Sequence, residues 1–201
     1  MAYSLRIYSS LLVSLVPLFL FINHSDAGLR PRPRPSMKAK SKLINQICSK
    51  AENPSLCLKV LNSNPRSARA DPKGLGRISI YMARKHAKQT SDLIASLRKG
   101  PKSRYLTDQY NVCAKVYGSA IGDLNGARQI LLKKVLSPSD ISTFRSRASS
   151  AFTRPVTCEN AFEEILGPDE PSHEPPKLKQ ANDKFKGLCS ILVEIGASLK
   201  S

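Results

Sequence analysis

The sequence has no tryptophan and only three histidines, and it lacks the short motifs around which most catalytic and metal sites are built. It has no Gly-x-Ser-x-Gly nucleophile motif, no His-Glu-x-x-His zinc motif, no phosphate-binding glycine loop and no Cys-x-x-Cys pair. Glu163 and Glu164 are adjacent, so on a helix they diverge and cannot act together as acid and base. His86 lies on the inward stripe of a predicted helix, where a structural role is expected. We therefore predict no catalytic residue, no metal site and no cofactor.

Acidic residues are also scarce, with 15 Asp and Glu against 32 Lys and Arg and a formal net charge of +17. The stretch 28–42 carries six basic residues and no acid, whereas 159–174 carries six acids and no Lys or Arg. Such a basic surface either attracts acidic partners or simply keeps the protein soluble. Because the chain lacks a Cys/His finger and an aromatic-rich RNA-binding motif, nucleic acid is not the predicted partner. An acidic polysaccharide or an acidic protein surface fits the charge better.

Long hydrophobic runs are absent apart from one near the N-terminus, over residues 11–22. A single Arg6 precedes this run, and a small-residue site at 25–27 follows it. The layout predicts a secretory signal peptide over residues 1–27, cleaved before Gly28. The alternative, a membrane anchor, is disfavoured because about a dozen apolar residues are too few to span a bilayer. We expect a secreted, extracellular protein with no membrane segment, in a compartment where disulfides persist.

Strand-like alternation is missing, and the apolar residues recur instead at the three- and four-residue spacing of amphipathic helices. Proline follows a capping residue at Asn53-Pro54, Asp71-Pro72 and Ser137-Pro138, which is typical of helix starts. We predict an all-α fold, with an up-down-up-down four-helix bundle over 71–200 and a short helical hairpin over 43–61 before it.

Three segments depart from this helical pattern. The Arg/Pro-rich arm 28–42 is predicted to be disordered, and its stretch 30–36, with proline at alternate positions, is expected to be extended and mobile. The proline- and acid-rich stretch 167–176 is predicted to be a loop before the last helix. Pro155 lies inside the third long helical segment, where it is expected to kink or break the helix.

The five cysteines are an odd number, and two bridges among them allow fifteen arrangements. Proximity favours Cys48–Cys57, a bridge that would stabilise two hairpin helices too short to be stable alone. Cys113 and Cys158 lie on consecutive long helices. Cys189 adjoins leucines on an apolar face, where a buried inert thiol is expected rather than a redox or catalytic one.

Five segments of the chain resemble those of a known family: ICSKAENPSLCLKVL, ADPKGLGRISIYMA, YLTDQYNVCAKVYGSAIGDL, VTCENAFEE and NDKFKGLCSILVEIGASL. With four cysteines in matching order, the chain resembles the plant invertase/pectin methylesterase inhibitor family over roughly residues 43–200. The stretch ADPKGLGRISI is most similar to a branch that includes pollen allergens described as invertase inhibitors.

The resemblance implies a four-helix bundle with an N-terminal hairpin, forming one inhibitor domain over 43–201. It also implies the bridges Cys48–Cys57 and Cys113–Cys158, with Cys189 as the free thiol. Its further implications are localisation in the apoplast and cell wall, and one-to-one inhibition of a carbohydrate-active enzyme. The chain itself would then perform no chemistry.

Two target enzymes fit the resemblance. Invertase inhibitors resemble one another in a Pro-Lys-Phe motif before the last helix, and Pro176-Lys177-Leu178 stands at that place with leucine for phenylalanine. Alternatively, Pro176 starts the last helix and Leu178 packs in the core. Pectin methylesterase inhibitors use a face of the bundle instead, and the LCSI segment around Cys189 is more similar to theirs.

We favour pectin methylesterase as the target, with acid invertase as the alternative. A third hypothesis, from another class, is a cationic cell-wall protein whose arm 28–42 binds acidic pectin without inhibiting an enzyme.

Overall fold

The computed structural model describes residues 37–100, 103–163 and 174–201. The predicted signal peptide, the first part of the arm and most of the predicted acidic loop lie outside these ranges. Six α-helices are present, with a 3₁₀ turn at Ser67–Arg69 after the second, and the described residues contain no strand. The helices are α1 Met37–Cys48, α2 Pro54–Asn62, α3 Pro72–Arg98, α4 Arg104–Leu132, α5 Pro138–Asn160 and α6 Pro176–Ser198.

Local capping interactions set the starts of four helices. The side chains of Asn53, Asp71, Ser103 and Ser137 each accept a hydrogen bond from a backbone N–H three residues later. At α5 the cap is reciprocal, because the backbone N–H of Ser137 donates to the carboxylate of Asp140 at 3.0 Å. Proline is the first residue of α2, α3 and α5, where its missing N–H costs nothing.

The four long helices form a ring in which each packs against two neighbours, in the order α3, α4, α5, α6 and back to α3. The start of α3 lies at the end of α4, where Arg77 Nη1 donates to the carbonyl of Leu131 at 3.2 Å. The start of α5 lies at the end of α6, where Arg145 Nε donates to the carbonyl of Gly196 at 2.8 Å. The predicted all-α bundle is confirmed, and the hairpin helices α1 and α2 pack on it against α6 and α3.

The core is filled by aliphatic and aromatic side chains from all six helices, and the largest aromatic ones are Tyr117, Phe144, Phe162 and Phe185. Two disulfides reinforce it. Cys48–Cys57 closes the hairpin, and Cys113–Cys158 joins α4 to α5. Cys189 is unpaired and wholly buried on α6. Within the described ranges, no helix combines the length and apolar character needed to cross a membrane.

The bounds of α1 and α5 correct two of the sequence predictions. Helix α1 begins at Met37, so the last six residues of the arm 28–42 are helical rather than disordered. The physical reason is that the prolines of the arm stop at Pro35, and the following MKAKSK contains mostly good helix formers. At Pro155 the sequence predicted a kink or a break; helix α5 continues through this residue to Asn160, so the break is wrong, while the kink stays a prediction. The ring of Pro155 is buried, and the disulfide at Cys158 holds the next turn against α4.

Candidate functional site

The segment Pro176-Lys177-Leu178 forms the first turn of α6, and its three side chains have different environments. Pro176 is exposed as the first helical residue, and Leu178 is completely buried in the core. Lys177 is exposed, and no hydrogen bond or ion pair joins its side chain to another described residue. The three residues therefore do not present one continuous contact surface, and Leu178 acts in this structure as a core residue.

A buried polar network lies behind this turn. The Tyr117 hydroxyl donates to Asn182 Oδ1 at 2.6 Å, and Asn182 Nδ2 donates to Glu174 Oε1 at 2.6 Å. The same Nδ2 lies 3.5 Å from Cys158 Sγ. Burial, aided by the nearby negative charge of Glu159, raises the pKa of Glu174 to about 7. The network therefore ties the start of α6 to α4 and to the Cys113–Cys158 disulfide.

Neither His86 nor Cys189 is placed for catalysis. His86 Nε2 lies 2.9 Å from the carbonyl oxygen of Ala181, and burial lowers the pKa of this imidazole. Burial raises the pKa of the Cys189 thiol, so it stays protonated and inert. The described part of the chain contains no group of three or more His, Cys, Asp or Glu residues that could hold a metal ion.

An ordered polar cluster lies along the seam between α4 and α5. Asp123 on α4 accepts a hydrogen bond from Ser150 Oγ at 2.7 Å and lies 3.4 Å from Arg154 Nη2. Arg147 Nη1 lies 3.7 Å from the other oxygen of the same carboxylate. One acid thus orients two arginines of α5. These guanidinium groups remain partly exposed and can donate to a partner.

Helix α4 has glycine at three positions four residues apart, and two of the three have no packing role against the described part of the chain. A Cβ on Gly126 would lie 2.5 Å from the Arg147 guanidinium carbon, so this glycine makes room for the arginine. A Cβ on Gly118 or Gly122 would meet nothing within 4 Å. Glycine in a helix interior costs roughly 0.5–1 kcal/mol relative to alanine. Since no internal contact requires them, these two glycines are suited to the close approach of another molecule.

We call the surface formed by Gly118, Gly122, Asp123, Arg147 and Arg154 the α4–α5 face. The hairpin packs on α3 and α6 and contacts neither α4 nor α5, so it leaves this face uncovered. The arrangement has the features of a protein-binding surface: small residues on a rigid helix, bordered by pre-oriented hydrogen-bond donors.

Comparison with known proteins identifies the family. The family described as Plant invertase/pectin methylesterase inhibitor matches residues 42–195, a range that covers most of the hairpin, α3 to α5 whole, all but the last three residues of α6 and both disulfides. The chain belongs to this family. It is accordingly an enzyme inhibitor rather than an enzyme.

Individual members of the inhibitor family agree with this fold. A pectinesterase inhibitor from Actinidia deliciosa is 42% identical, over 93% of this chain and 92% of that protein. A relative from Platanus acerifolia, named as a proposed invertase inhibitor, is 30% identical over 57% of this chain and 62% of its own length. A crystal structure of a mutant form of a pectin methylesterase inhibitor from Arabidopsis covers 78% of this chain and 97% of that chain, with TM-score 0.64 and 26% identity.

Sequence reasoning missed two parts of this inhibitor. The Tyr117–Asn182–Glu174 network gave no signal, because Tyr117 is distant in sequence from Asn182 and Glu174 and no motif links the three residues. The α4–α5 face did carry a signal, the four-residue spacing of Gly118, Gly122 and Gly126. That spacing places them on one side of a helix. Only the packing shows which of them are open to a partner.

Proposed function

We propose that this protein inhibits pectin methylesterase by covering the substrate cleft of the enzyme in a one-to-one complex. The observation that carries the proposal is the 42% identity, over 93% of the chain, to a pectinesterase inhibitor. The relative with an invertase-related name matches a shorter part of the chain at lower identity. A four-helix bundle crossed by a disulfide suits occlusion, because a rigid partner loses little conformational entropy on binding.

The α4–α5 face is the surface through which we expect contact. At Gly118 and Gly122 the main chain of the enzyme can approach helix α4 closely, since no side chain stands in between. Asp123 already holds Arg154 and Arg147, so these donors need little ordering when the complex forms. Inhibition then needs only steric exclusion of pectin, and no bond is made or broken by the inhibitor.

Titration of two purified enzymes tests the proposal. A pectin methylesterase and an acid invertase are assayed side by side against the oxidised, folded protein. We expect pectin methylesterase activity to fall to background near a one-to-one ratio, while invertase keeps its activity. Inhibition of invertase alone would reverse the assignment, and inhibition of neither enzyme would contradict it.

Acid invertase is the second candidate target, and one observation favours it. Lys177 is exposed at the start of α6, directly after Pro176, as an inserting lysine would have to be. Glycosidase active sites bind sugars through carboxylates, and the ammonium group of a lysine could pair with these carboxylates. Against this, the position of the motif's aromatic ring is taken by Leu178, which lies in the core.

We further propose that the protein acts outside the cell, in the plant cell wall. The predicted signal peptide 1–27 supports export, and the two disulfides are compatible with an oxidising compartment. N-terminal sequencing of the secreted protein should begin at Gly28. Retention of residues 1–27 in the extracellular protein would contradict the cleavage site.

The arm 28–42 is a candidate contact for acidic pectin, because it carries six basic residues and no acid. Removal of residues 28–36, which lie before α1, should leave enzyme inhibition intact while weakening retention on pectin. If the parent chain inhibits neither enzyme and this variant loses its retention on pectin, the third hypothesis, in which the arm is the active part, is favoured.

A further inference from the structure

A groove of about 620 Å³ lies between the 3₁₀ turn, the first turns of α3 and the end of α4. Four arginines line it: Arg66, Arg69, Arg77 and Arg128. Its volume is in the range of ligand-binding sites. The cluster is assembled from three separate elements, so it is a property of the folded chain and not of a basic run in the sequence.

Within the described part of the chain, no ion pair neutralises the positive charge of this groove. None of the four arginines takes part in an ion pair in the described part of the chain. Arg77 donates to the backbone carbonyl of Leu131, which leaves its charge uncompensated. The lining contains a single acid, Asp71, whose carboxylate also accepts a hydrogen bond from Gly74 N at 2.7 Å as the cap of α3, so the four arginines leave the groove with a net positive charge. Converging unpaired guanidinium groups select an anionic ligand.

The groove also offers apolar surface next to the charges. Tyr81 is 61% exposed and Leu132 is 52% exposed, and both belong to the lining. An aromatic ring beside arginines suits a ligand that has flat, weakly polar ring faces and carries carboxylates on their edges. A chain of uronic acid sugars has this chemistry, because the C–H face of each pyranose can lie on an aromatic ring while its carboxylate meets a guanidinium group.

We propose that this arginine groove binds a carboxylated polysaccharide, namely the de-esterified stretches of pectin. The choice of pectin among uronic acid chains rests on the proposed function, since a pectin methylesterase converts methyl esters into carboxylates. The inhibitor would then be retained where its target enzyme has already acted.

The groove and the α4–α5 face are distinct surfaces. Arg128 faces the groove beside α3, whereas Gly126, two residues earlier, makes room for Arg147 of α5. Residues two apart on a helix point in widely different directions. A pectin chain in the groove and an enzyme on the α4–α5 face can therefore be bound at the same time.

Calorimetric titration of the mature chain with galacturonate oligomers of defined length tests the groove. We expect binding of the unesterified oligomer that weakens with added salt, and no measurable binding of the fully methyl-esterified oligomer or of a neutral oligosaccharide. Equal binding of the esterified oligomer, or tighter binding of a sulfated chain of the same length, would overturn recognition of carboxylates.

Matched pairs of substitutions locate the binding. The variant Arg69→Gln/Arg128→Gln should lose about tenfold or more in affinity, because each charge-assisted hydrogen bond is worth roughly a tenfold factor. The control Arg98→Gln/Arg104→Gln removes the same charge from exposed positions at the opposite end of α3 and α4, and should bind like the parent chain. The arm is intact in both variants. Equal losses of affinity in the two would therefore mean that net charge attracts the oligomer, and would overturn binding in the groove.

Assay of pectin methylesterase inhibition with the same variants separates this inference from the proposed function. We expect both variants to inhibit as the parent chain does. If the parent binds the oligomer through the groove but inhibits no pectin methylesterase, only the proposed function fails. If Arg69→Gln/Arg128→Gln loses inhibition and the parent binds no oligomer, the groove is an enzyme contact and the inference fails.

Discussion

At the scale of single residues, Glu174 connects the chemistry of one carboxyl group to the stability of the bundle. Its side chain is buried between Asn182 and the negative charge of Glu159, with Asp183 adding negative charge and Lys179 opposing it. The pKa of Glu174 is raised from 4.5 to about 7, so the fold favours the neutral form. This contribution to stability is complete below about pH 4.5 and is lost as the pH rises towards 7.

We therefore predict that the Tm of the protein declines between about pH 4.5 and 7, and that Glu174→Gln removes this decline. Glutamine keeps the shape of the side chain and its hydrogen-bonding oxygen but does not titrate. Scanning calorimetry across the pH range measures the effect. Glu52→Gln, which changes an exposed carboxylate of the hairpin, is the control and should keep the decline. A decline that persists in Glu174→Gln would show that another group causes it.

The buried position of Leu178 leads to a second prediction at this scale. A ring at this position would enter a filled core, so Leu178→Phe should destabilise the protein by about 1–3 kcal/mol. Lys177→Ala removes an exposed side chain and should change stability by less than about 0.5 kcal/mol. Urea denaturation measures both free energies of unfolding.

The same two variants bear on the target enzyme. Inhibition of pectin methylesterase should be unchanged in Lys177→Ala, because the proposed contact lies on the α4–α5 face. The opposite pattern has two parts: Leu178→Phe is stable and inhibits invertase more strongly, and Lys177→Ala loses invertase inhibition. This pattern would establish the start of α6 as the inhibitory segment.

At the scale of the secondary-structure element, α4 is less stable with its exposed glycines than it would be with alanine at the same positions. Gly122→Ala should raise the free energy of unfolding by about 0.5–1 kcal/mol, since alanine is the better helix former and meets no neighbour. Gly122→Arg should fold as well as the parent chain but lose more than about tenfold in affinity for pectin methylesterase, equivalent to about 1.4 kcal/mol. Denaturation curves and inhibition constants provide the two measurements.

The matched control for the arginine substitution is Gln89→Arg, at an exposed position on α3. It adds the same side chain away from the α4–α5 face and should inhibit normally. If Gln89→Arg and Gly122→Arg lose inhibition equally, the α4–α5 face is not the contact surface.

At the scale of the whole molecule, the two disulfides constrain the unfolded chain to different extents. Cys48–Cys57 spans a sequence separation of 9 residues and Cys113–Cys158 one of 45. In the chain-entropy model these bridges contribute about 2.7 and about 4 kcal/mol. We expect Cys113→Ser to lower the Tm more than Cys57→Ser does. Thiol titration of the unfolded, unreduced parent protein should first find one free thiol. Equal losses of Tm in the two variants would contradict the prediction.

The elements of this protein were readable from the sequence because the interactions that start its helices are local. Asn53, Asp71 and Ser137 cap helices whose first N–H groups lie only three residues away, and the proline after each cap has its backbone angle already set. The spacing of apolar residues then predicted the bundle. Tertiary structure decided the rest, namely which helical glycines are open, that Leu178 points into the core, and that Glu174 meets Asn182.

The arginine groove shows most clearly why sequence predicts local features but not sites between elements. Arg69 lies on the 3₁₀ turn before α3 and Arg128 near the end of α4, and the antiparallel pairing of α3 and α4 brings the two to one groove, although each stands in an unremarkable stretch of sequence. A cap depends on the backbone within one turn, and local sequence determines it. A site between elements depends on how whole helices are placed against each other. This placement is set mainly by the sum of many core contacts, with the hydrogen bond from Arg77 to Leu131 as an addition from the groove itself.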